Sequence, residues 1–590
     1  MKERVAGIRV PWAVAALLVL HAAMVVPGIF RNSVTFDENF HLPAGALYLA
    51  RGYTHVSIGQ PPLARALYAL PIMPMRPELP PDSILVINAE RAAGKSFLER
   101  NAARFETLYV TARFVGLLMS WATGLLIFAF ARGLYGPAAG LVALGAWVAC
   151  PEAVAQAGLV GMDMPTALVF LAVTMAFRSL TRNGRARDVA IFTLAVGAAL
   201  LTRYSVLQLI PVLLLLTAWA WRARVMTRPA WLLGALAIAA VGGIVLLGLG
   251  YLGQITMLPM GERALHSQSL ERLAGLLPWL RLPLPDAYIA GFDYLGSLTE
   301  AVKPIYVLGS PRAESVWWYF PFAAAIKWPL GLLGLLVLRV VHALRRRGTA
   351  RSGVRLSWDE ACVLLPGLTV IAVAMTSDLA YGLRYLLPAM PFLCVWVGGL
   401  VAQPGEAAAA AAAEGQAAPR GPAGRGAKRG GGKPARRAPS AWALATIALV
   451  AAETLECAAA TPWQLAHFNV FAGGRGDRLV NDSSVDWGQG LIALRDEMRR
   501  RGIERVSLTY HGTTDPALYG IDYIPFTGGA PDSSTPWIAV SSYYFVGLSQ
   551  RMVTRAGDTE FLSVDFRPMW NLEPVARPGN CMYLFRLPGR

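Results

Sequence analysis

Charge is scarce in this chain: Asp, Glu, Lys and Arg make up 15% of its 590 residues, where soluble globular chains carry about 25%. Acidic residues are scarcer than basic ones, 37 against 54, which leaves a net charge of +17. Such an excess can mark a nucleic-acid binder. Here the cations cluster between apolar runs, the pattern of cytoplasmic loops beside membrane spans, so no nucleic acid is expected as a partner. Cysteine is scarce too. Cys150, Cys362, Cys394, Cys457 and Cys581 show no CxxC or Cys/His spacing, which excludes a zinc site of that kind and a disulfide framework. No GxGxxG stands between a strand and a helix, so no nucleotide fingerprint is present.

What the chain has instead is apolar sequence: 55% of its residues, with a mean hydropathy of +0.44. Runs of about 18 or more apolar residues are long enough to cross a hydrocarbon core of about 30 Å. The reading is a mostly α polytopic membrane protein with about eleven transmembrane helices. They are expected near 11–30, 107–130, 138–155, 163–178, 188–202, 204–221, 229–252, 316–341, 359–376, 383–402 and 441–459. The first is read as an uncleaved span, since no small-x-small site follows it before Pro27. Arg178, Arg182, Arg185 and Arg187 crowd one loop; Arg222, Arg224 and Arg228 a second; Arg345, Arg346 and Arg347 a third. All three fall on one side if the N-terminus is cytoplasmic.

Two long segments, 31–106 and 253–315, then lie outside, within a membrane core of residues 1–402. Residues 403–440 run from poly-Ala into Gly, Pro, Lys and Arg, a low-complexity linker whose cations place it in the cytoplasm. After the last span at 441–460 the composition becomes soluble. Residues 461–590, about 130 of them, are enough for a C-terminal extracytoplasmic α/β domain with its own core. In it, Asp486 and Gln489 have capping-box spacing before Leu491, Leu494 and Met498, and Gly502 stops that helix. Val506, Leu508 and Tyr510 alternate as a strand, with further strands at 537–540 and 582–587.

Chemistry-bearing residues recur at the outer ends of the spans. Thr35-Phe36-Asp37-Glu38-Asn39-Phe40-His41 places two carboxylates just beyond the first span, with a histidine one helical turn later. A carboxylate at an apolar boundary can serve as a general base; the plainer reading is a helix start favoured by the dipole. If the segment is helical, Glu38 points away from Asp37 while His41 approaches it. Gln60-Pro61-Pro62-Leu63-Ala64-Arg65 brings a guanidinium to the membrane boundary, suited to a phosphate or simply snorkelling. Asp163 sits where two apolar runs meet, a functional candidate or a helix cap. Arg203, Tyr204, Lys327, Arg384 and Tyr385 interrupt or edge other runs. Several such cations together make a site for an anionic lipid phosphate.

This ordered set resembles the type C glycosyltransferases of the protein O-mannosyltransferase and aminoarabinose-transferase kind, specifically the bacterial family 39 branch. The matching stretches are Thr35-Phe36-Asp37-Glu38 with His41, Pro61-Pro62-Leu63 with Arg65, and Asp163-Met164-Pro165. They continue with Leu201-Thr202-Arg203-Tyr204-Ser205, Trp317-Trp318-Tyr319 with Lys327, and Gly382-Leu383-Arg384-Tyr385-Leu386-Leu387-Pro388. Asp482-Ser483-Ser484-Val485-Asp486-Trp487-Gly488-Gln489 resembles the branch's Asp-Ser-Asn-x-Asp-Trp-Gly-Gln signature. Gln60 stands where the family usually has His, Arg203 replaces Lys and Ser484 replaces Asn. The resemblance implies inverting transfer of a sugar from a polyprenyl-phosphate donor to an acceptor hydroxyl on a protein, lipid or glycan, at the bacterial inner membrane. It implies Asp37, Glu38 and Asp163 as catalytic, with Asp37 the base. It also implies His41, Arg65, Arg203, Tyr204, Lys327, Arg384 and Tyr385 as substrate-binding. No metal-ligand cluster is identified, and a divalent metal stays open. A transporter or flippase of lipid-linked glycans, or an envelope scaffold, would also explain intramembrane charge, but not a carboxylate pair outside or a large outer domain.

Overall fold

The apolar runs fold as helices because lipid offers no partner for backbone N–H and C=O groups. The computed structural model describes residues 2–225, 229–300, 304–349, 357–377, 381–402, 441–527, 534–548, 551–553, 559–561 and 565–587; the expected linker 403–440 lies outside them. Eight helices are long and apolar enough to cross a membrane: Val10–Arg31, Phe105–Tyr135, Asp163–Asn183, Tyr204–Arg222, Ala230–Gly250, Trp358–Thr376, Leu383–Val401 and Ala441–Ala459. Two more segments pass only as bent pairs. Pro137–Val148 and Pro151–Ala157 meet at 67°, and Tyr319–Lys327 and Leu330–Arg345 at 115°. Each bend falls at a proline, Pro151 or Pro329, which the preceding residue can meet only in extended conformation.

By length and composition, eight helices among the described residues meet the requirement for a span, or up to ten segments with the bent pairs; of the eleven expected, one is shorter. The segment expected at 188–202 is the helix Ala186–Leu200, of 15 residues. At 1.5 Å per residue it reaches about 22 Å, short of a hydrocarbon core. Arg203 follows it in an extended conformation (φ −157°, ψ 146°) and meets Asp163, the first residue of the preceding helix Asp163–Asn183, so the short helix and its extended end together run back along the whole of that span. Asp163–Asn183 and Leu383–Val401 are the central helices, with 72% and 78% of their most apolar stretch buried. These two carry Asp163 and Arg384.

The two long connections are also helical. The first forms Glu38–Arg51, Pro62–Ala69 and Glu90–Arg100; the second forms Gln268–Leu276 and Asp286–Glu300. A short sheet joins the second connection to the C-terminal region. Ile305–Val307 pairs antiparallel with Ser310–Arg312 on one edge and with Val480–Asn481 on the other.

The C-terminal domain is built on a four-stranded sheet in the order Asp522–Pro525, Arg505–Thr509, Trp537–Ser541, Met582–Arg586. The first three are parallel and the last is antiparallel. Ser507 and Thr509 are buried along with Val506 and Leu508, as a parallel strand covered on both faces requires. One-sided alternation does not hold there, and Tyr510 lies just past the strand's end. Helix Leu491–Arg501 ends where expected, at Gly502 with φ +64°. Its start differs from the expected capping box: Gly490 precedes it and no side chain caps it. Asp486 instead accepts from the Gly488 backbone at 3.1 Å, inside a turn that Gly488 makes with φ +84°. Gln489 folds back on Val485 and Trp487. The whole stretch is docked on the first connection. The Ser33 amide donates to the Gln489 carbonyl (3.1 Å) and the Phe36 amide to the Trp487 carbonyl (2.9 Å).

Candidate active site

Asp37 is the N-cap residue of helix Glu38–Arg51 but makes no side-chain cap bond, so its carboxylate is free to face the bundle. There Oδ2 accepts from Arg384 Nη1 at 3.1 Å. The same Nη1 lies 3.6 Å from Asp163 Oδ2, while Asp163 Oδ1 accepts from Arg203. A chain of alternating charge therefore runs Asp37–Arg384–Asp163–Arg203. Asp163 opens its span, where the dipole favours an anion. Arg203 is presented by the break after Ala186–Leu200, and Arg384 by the 3-10 turn Leu383–Ala389 that begins another span.

Exposure separates the two carboxylates. The Asp37 side chain is 29% exposed, that of Asp163 only 2%. Asp37 is the one open to solvent. The Tyr385 ring lies beside both guanidinium groups, with centroid distances of 5.4 Å to Arg203 and 5.7 Å to Arg384. Trp487 of the C-terminal domain lies closer to Arg384, at 3.9 Å. A guanidinium stacked on an indole keeps its edges for anions.

His41 follows one turn on, its amide donating to the Asp37 carbonyl at 3.0 Å. Burial, and then the charges of Arg65, Arg203 and Arg384, hold its imidazole well below the usual range, so it is neutral. Its Nδ1 has no partner among the described residues. Arg65 donates to the Ser57 carbonyl at 2.5 Å and keeps an unpartnered Nε. Ser57 in turn donates to Glu90 at 2.5 Å. Burial raises the Glu90 carboxyl above its usual range.

Three further expected residues spend their polar atoms on the protein itself. Glu38 is sealed away from the opening. Its oxygens take two bonds from Arg113, at 2.8 and 2.6 Å, two from Thr35 and one from the Val160 amide. These bonds tie the side chain into the loop. Lys327 gives its ammonium to three carbonyls, those of Leu465, His467 and Ser484, at 3.2, 3.0 and 2.9 Å. An ammonium has three protons to donate, and all three are engaged here. Tyr204 spends its hydroxyl on the Ile58 carbonyl at 3.1 Å and packs on Tyr288, bracing the first connection.

Arg113, Trp487 and Glu90 were not expected at the site. Arg113 had a legible signal, a lone cation inside an apolar span. Trp487 had one too, its place in the Asp482–Gln489 signature stretch; Glu90 had none, since tertiary contact alone brings it in. Among the described residues, no three His, Cys, Asp or Glu side chains gather as a metal site.

No curated protein matches the chain. Solved structures with partial likeness include ArnT from Cupriavidus metallidurans bound to undecaprenyl phosphate, at 14% identity and TM-score 0.40 over 66% of this chain and 60% of that one. Another is the S. cerevisiae protein O-mannosyltransferase Pmt1-Pmt2 complex bound to the sugar donor, at 19% identity and TM-score 0.31 over 41% and 32%. A third is the Archaeoglobus fulgidus oligosaccharyltransferase in the apo form, at 12% identity and TM-score 0.36 over 65% and 50%. The match thus spans 60% of the length of the ArnT chain. The stretch holding Asp163, Arg203 and Tyr204 is similar to a known family of the kind that the motifs resemble: residues 105–261 match the family described as dolichyl-phosphate-mannose-protein mannosyltransferase.

Proposed function

We propose that the protein is a membrane glycosyltransferase that moves a sugar from a polyprenyl-phosphate donor to an acceptor hydroxyl on the extracytoplasmic face. The observation that carries this reading is the partly open Asp37 carboxylate held beside clustered guanidinium groups. The family matched by residues 105–261 is named for a polyprenyl-phosphate sugar donor, which supports the donor class.

In the reaction, Asp37 takes the proton of the acceptor hydroxyl as its oxygen attacks the anomeric carbon. The bond from that carbon to the phosphate oxygen breaks, and lipid phosphate leaves with the electron pair. Inversion follows from the single displacement. Arg384, Arg203 and Arg65 oppose the charge that develops on the phosphate. Asp163 holds the two guanidinium groups of Arg203 and Arg384 in register, and His41 packs one turn beyond Asp37. Tyr385 and Trp487 stack the guanidinium planes. Glu38 fixes the loop through Arg113, Lys327 fixes the C-terminal domain, and Tyr204 fixes the first connection. The N-terminus and the 403–440 linker are cytoplasmic and the C-terminal domain extracytoplasmic, at a bacterial inner membrane, on the strength of the arginine-rich loops.

Purified protein given a labelled polyprenyl-phosphate sugar and an envelope extract tests the reading. Release of lipid phosphate together with a new glycoside is expected. Passage of intact lipid across vesicles without cleavage would replace the enzyme with a flippase.

A further inference from the structure

The turn Val470–Ala472 carries two large apolar side chains into the open: Val470 is 74% exposed and Phe471 67%. The turn is held firmly. Asn469 caps it, its side chain accepting from the Phe471 amide at 2.9 Å, and the Gly473 amide closes it on the Val470 carbonyl at 3.1 Å. Gly473 and Gly474 then reverse the chain with φ of +62° and +76°, and an exposed Arg475 follows. A fixed turn with an apolar tip and a cation behind it has the chemistry of a lipid interface.

Hydrogen bonds set its depth. The Asn469 amide donates to the Ile326 carbonyl at 2.9 Å, and its side chain donates to the carbonyls of Ala325 and Trp328, both at 2.8 Å. These carbonyls stand beside the 115° bend where Tyr319–Lys327 turns into Leu330–Arg345. The Leu330 amide in turn donates to Glu456 at 2.8 Å. His467, just ahead of the turn, lies 3.2 Å from the same carboxylate. Glu456 is one helical turn short of the end of the span Ala441–Ala459, or about 5 Å inside it. The apolar tip is therefore tied to the level at which the last span leaves the bilayer. Lipid reaches that level, because only 17% of this span's most apolar stretch is buried and Leu455, beside Glu456, is 72% exposed.

We propose that Val470 and Phe471 anchor the C-terminal domain in the lipid leaflet on its own side of the membrane, with their side chains among the acyl chains and Arg475 level with the phosphates. Lipid is the occupant because it already surrounds the span that fixes the depth of the turn. The anchor bears on the strut beside the site. Lys327, between the residues that hold Asn469, donates to the Ser484 carbonyl, and the Ser484 hydroxyl accepts from the Arg384 amide at 3.1 Å. The inference needs only that the spans cross a bilayer; it does not rest on the sugar chemistry.

Nitroxide labels placed through Val470→Cys and, separately, Phe471→Cys in the full chain test it, in nanodiscs of phosphatidylcholine and phosphatidylglycerol. Both side chains are exposed, so neither change removes packing. The five native cysteines are buried, and wild type treated with the label gives their background. Power-saturation EPR compares oxygen, which concentrates among acyl chains, with a nickel chelate, which stays in water. Both labels are expected about 5–10 Å below the lipid phosphates, with oxygen the stronger relaxant. A control label at Arg500→Cys, where the native side chain is 69% exposed on the C-terminal domain, is expected to respond more to the nickel chelate. Labels at 470 and 471 that behave like this control would place the turn in water. Labels shielded from both relaxants would place a second copy or another protein on it. Either result would overturn the inference.

Discussion

Arg384 and Asp37 meet at 3.1 Å although 347 positions separate them in the chain. One belongs to a central span and the other to the first connection, so their contact closes the site. Arg384 also reaches Asp163 and stacks on Trp487. A lysine ammonium cannot span two carboxylates and present a plane to an indole. Arg384→Lys is therefore expected to lower kcat/KM for the donor about 10- to 100-fold, the worth of one charge-assisted contact. Donor titration at saturating acceptor checks it, and wild-type kinetics would remove Arg384 from the site.

Glu38 and Arg113 are 1% and 2% exposed. Removing one partner of a buried pair strands the other charge and costs about 3–5 kcal/mol. Glu38→Gln keeps the shape and loses the charge. It is expected to lower Tm markedly, whereas a purely reactive Glu38 would leave Tm alone and abolish turnover. A thermal melt of the purified protein separates the two.

Lys327→Met leaves the carbonyls of Leu465, His467 and Ser484 without their donor. Loss of stability is expected, with the KM for the donor within about twofold of wild type in the surviving folded fraction, less than the tenfold that 1.4 kcal/mol would bring. A donor KM raised tenfold or more would return Lys327 to the phosphate.

His511 is stacked on Tyr543 at 4.0 Å, and burial pulls its imidazole down to about 3. The unfolded chain takes up a proton near pH 6.5 that the folded domain refuses. Stability from this group is complete above pH 6.5 and is lost as pH falls toward 3. Asp486, pushed up to about 7 by burial, acts in the opposite sense, so the wild-type profile alone would hide the effect. His511→Phe keeps the ring stack and breaks no ring hydrogen bond. The Tm of wild type relative to this variant is expected to fall between pH 7 and pH 4; a constant difference would place the imidazole in a hydrated setting.

The spans were legible because hydropathy acts locally: all eleven apolar segments are helical. Helix ends and bends were not, because nothing local tells that the helix ends at Leu200, before an extended Arg203, or that the chain turns by 115° at Pro329. Residue types at the site were legible from charges stranded in apolar sequence. Their partners were not. Lys327 and Arg384 are both cations at the ends of spans, yet one meets three carbonyls and the other two carboxylates. That difference is set by Leu465, His467 and Ser484, which lie 138 to 157 positions away. The Asp486-to-Gln489 spacing misled for a related reason. Capping needs the helix to begin at once, and Gly488 and Gly490 delay it until Leu491.

The base is the centre of the proposal. Asp37→Asn preserves shape and can still accept from Arg384, but it cannot take a proton from the acceptor. General-base catalysis is worth about 10²–10⁴-fold. The most direct measurement is single-turnover release of lipid phosphate by folded Asp37→Asn, with donor affinity measured on the same sample. The expected result is turnover lowered about 10²–10⁴-fold with donor affinity retained. Turnover near the wild-type rate would contradict it and pass the role to Asp163.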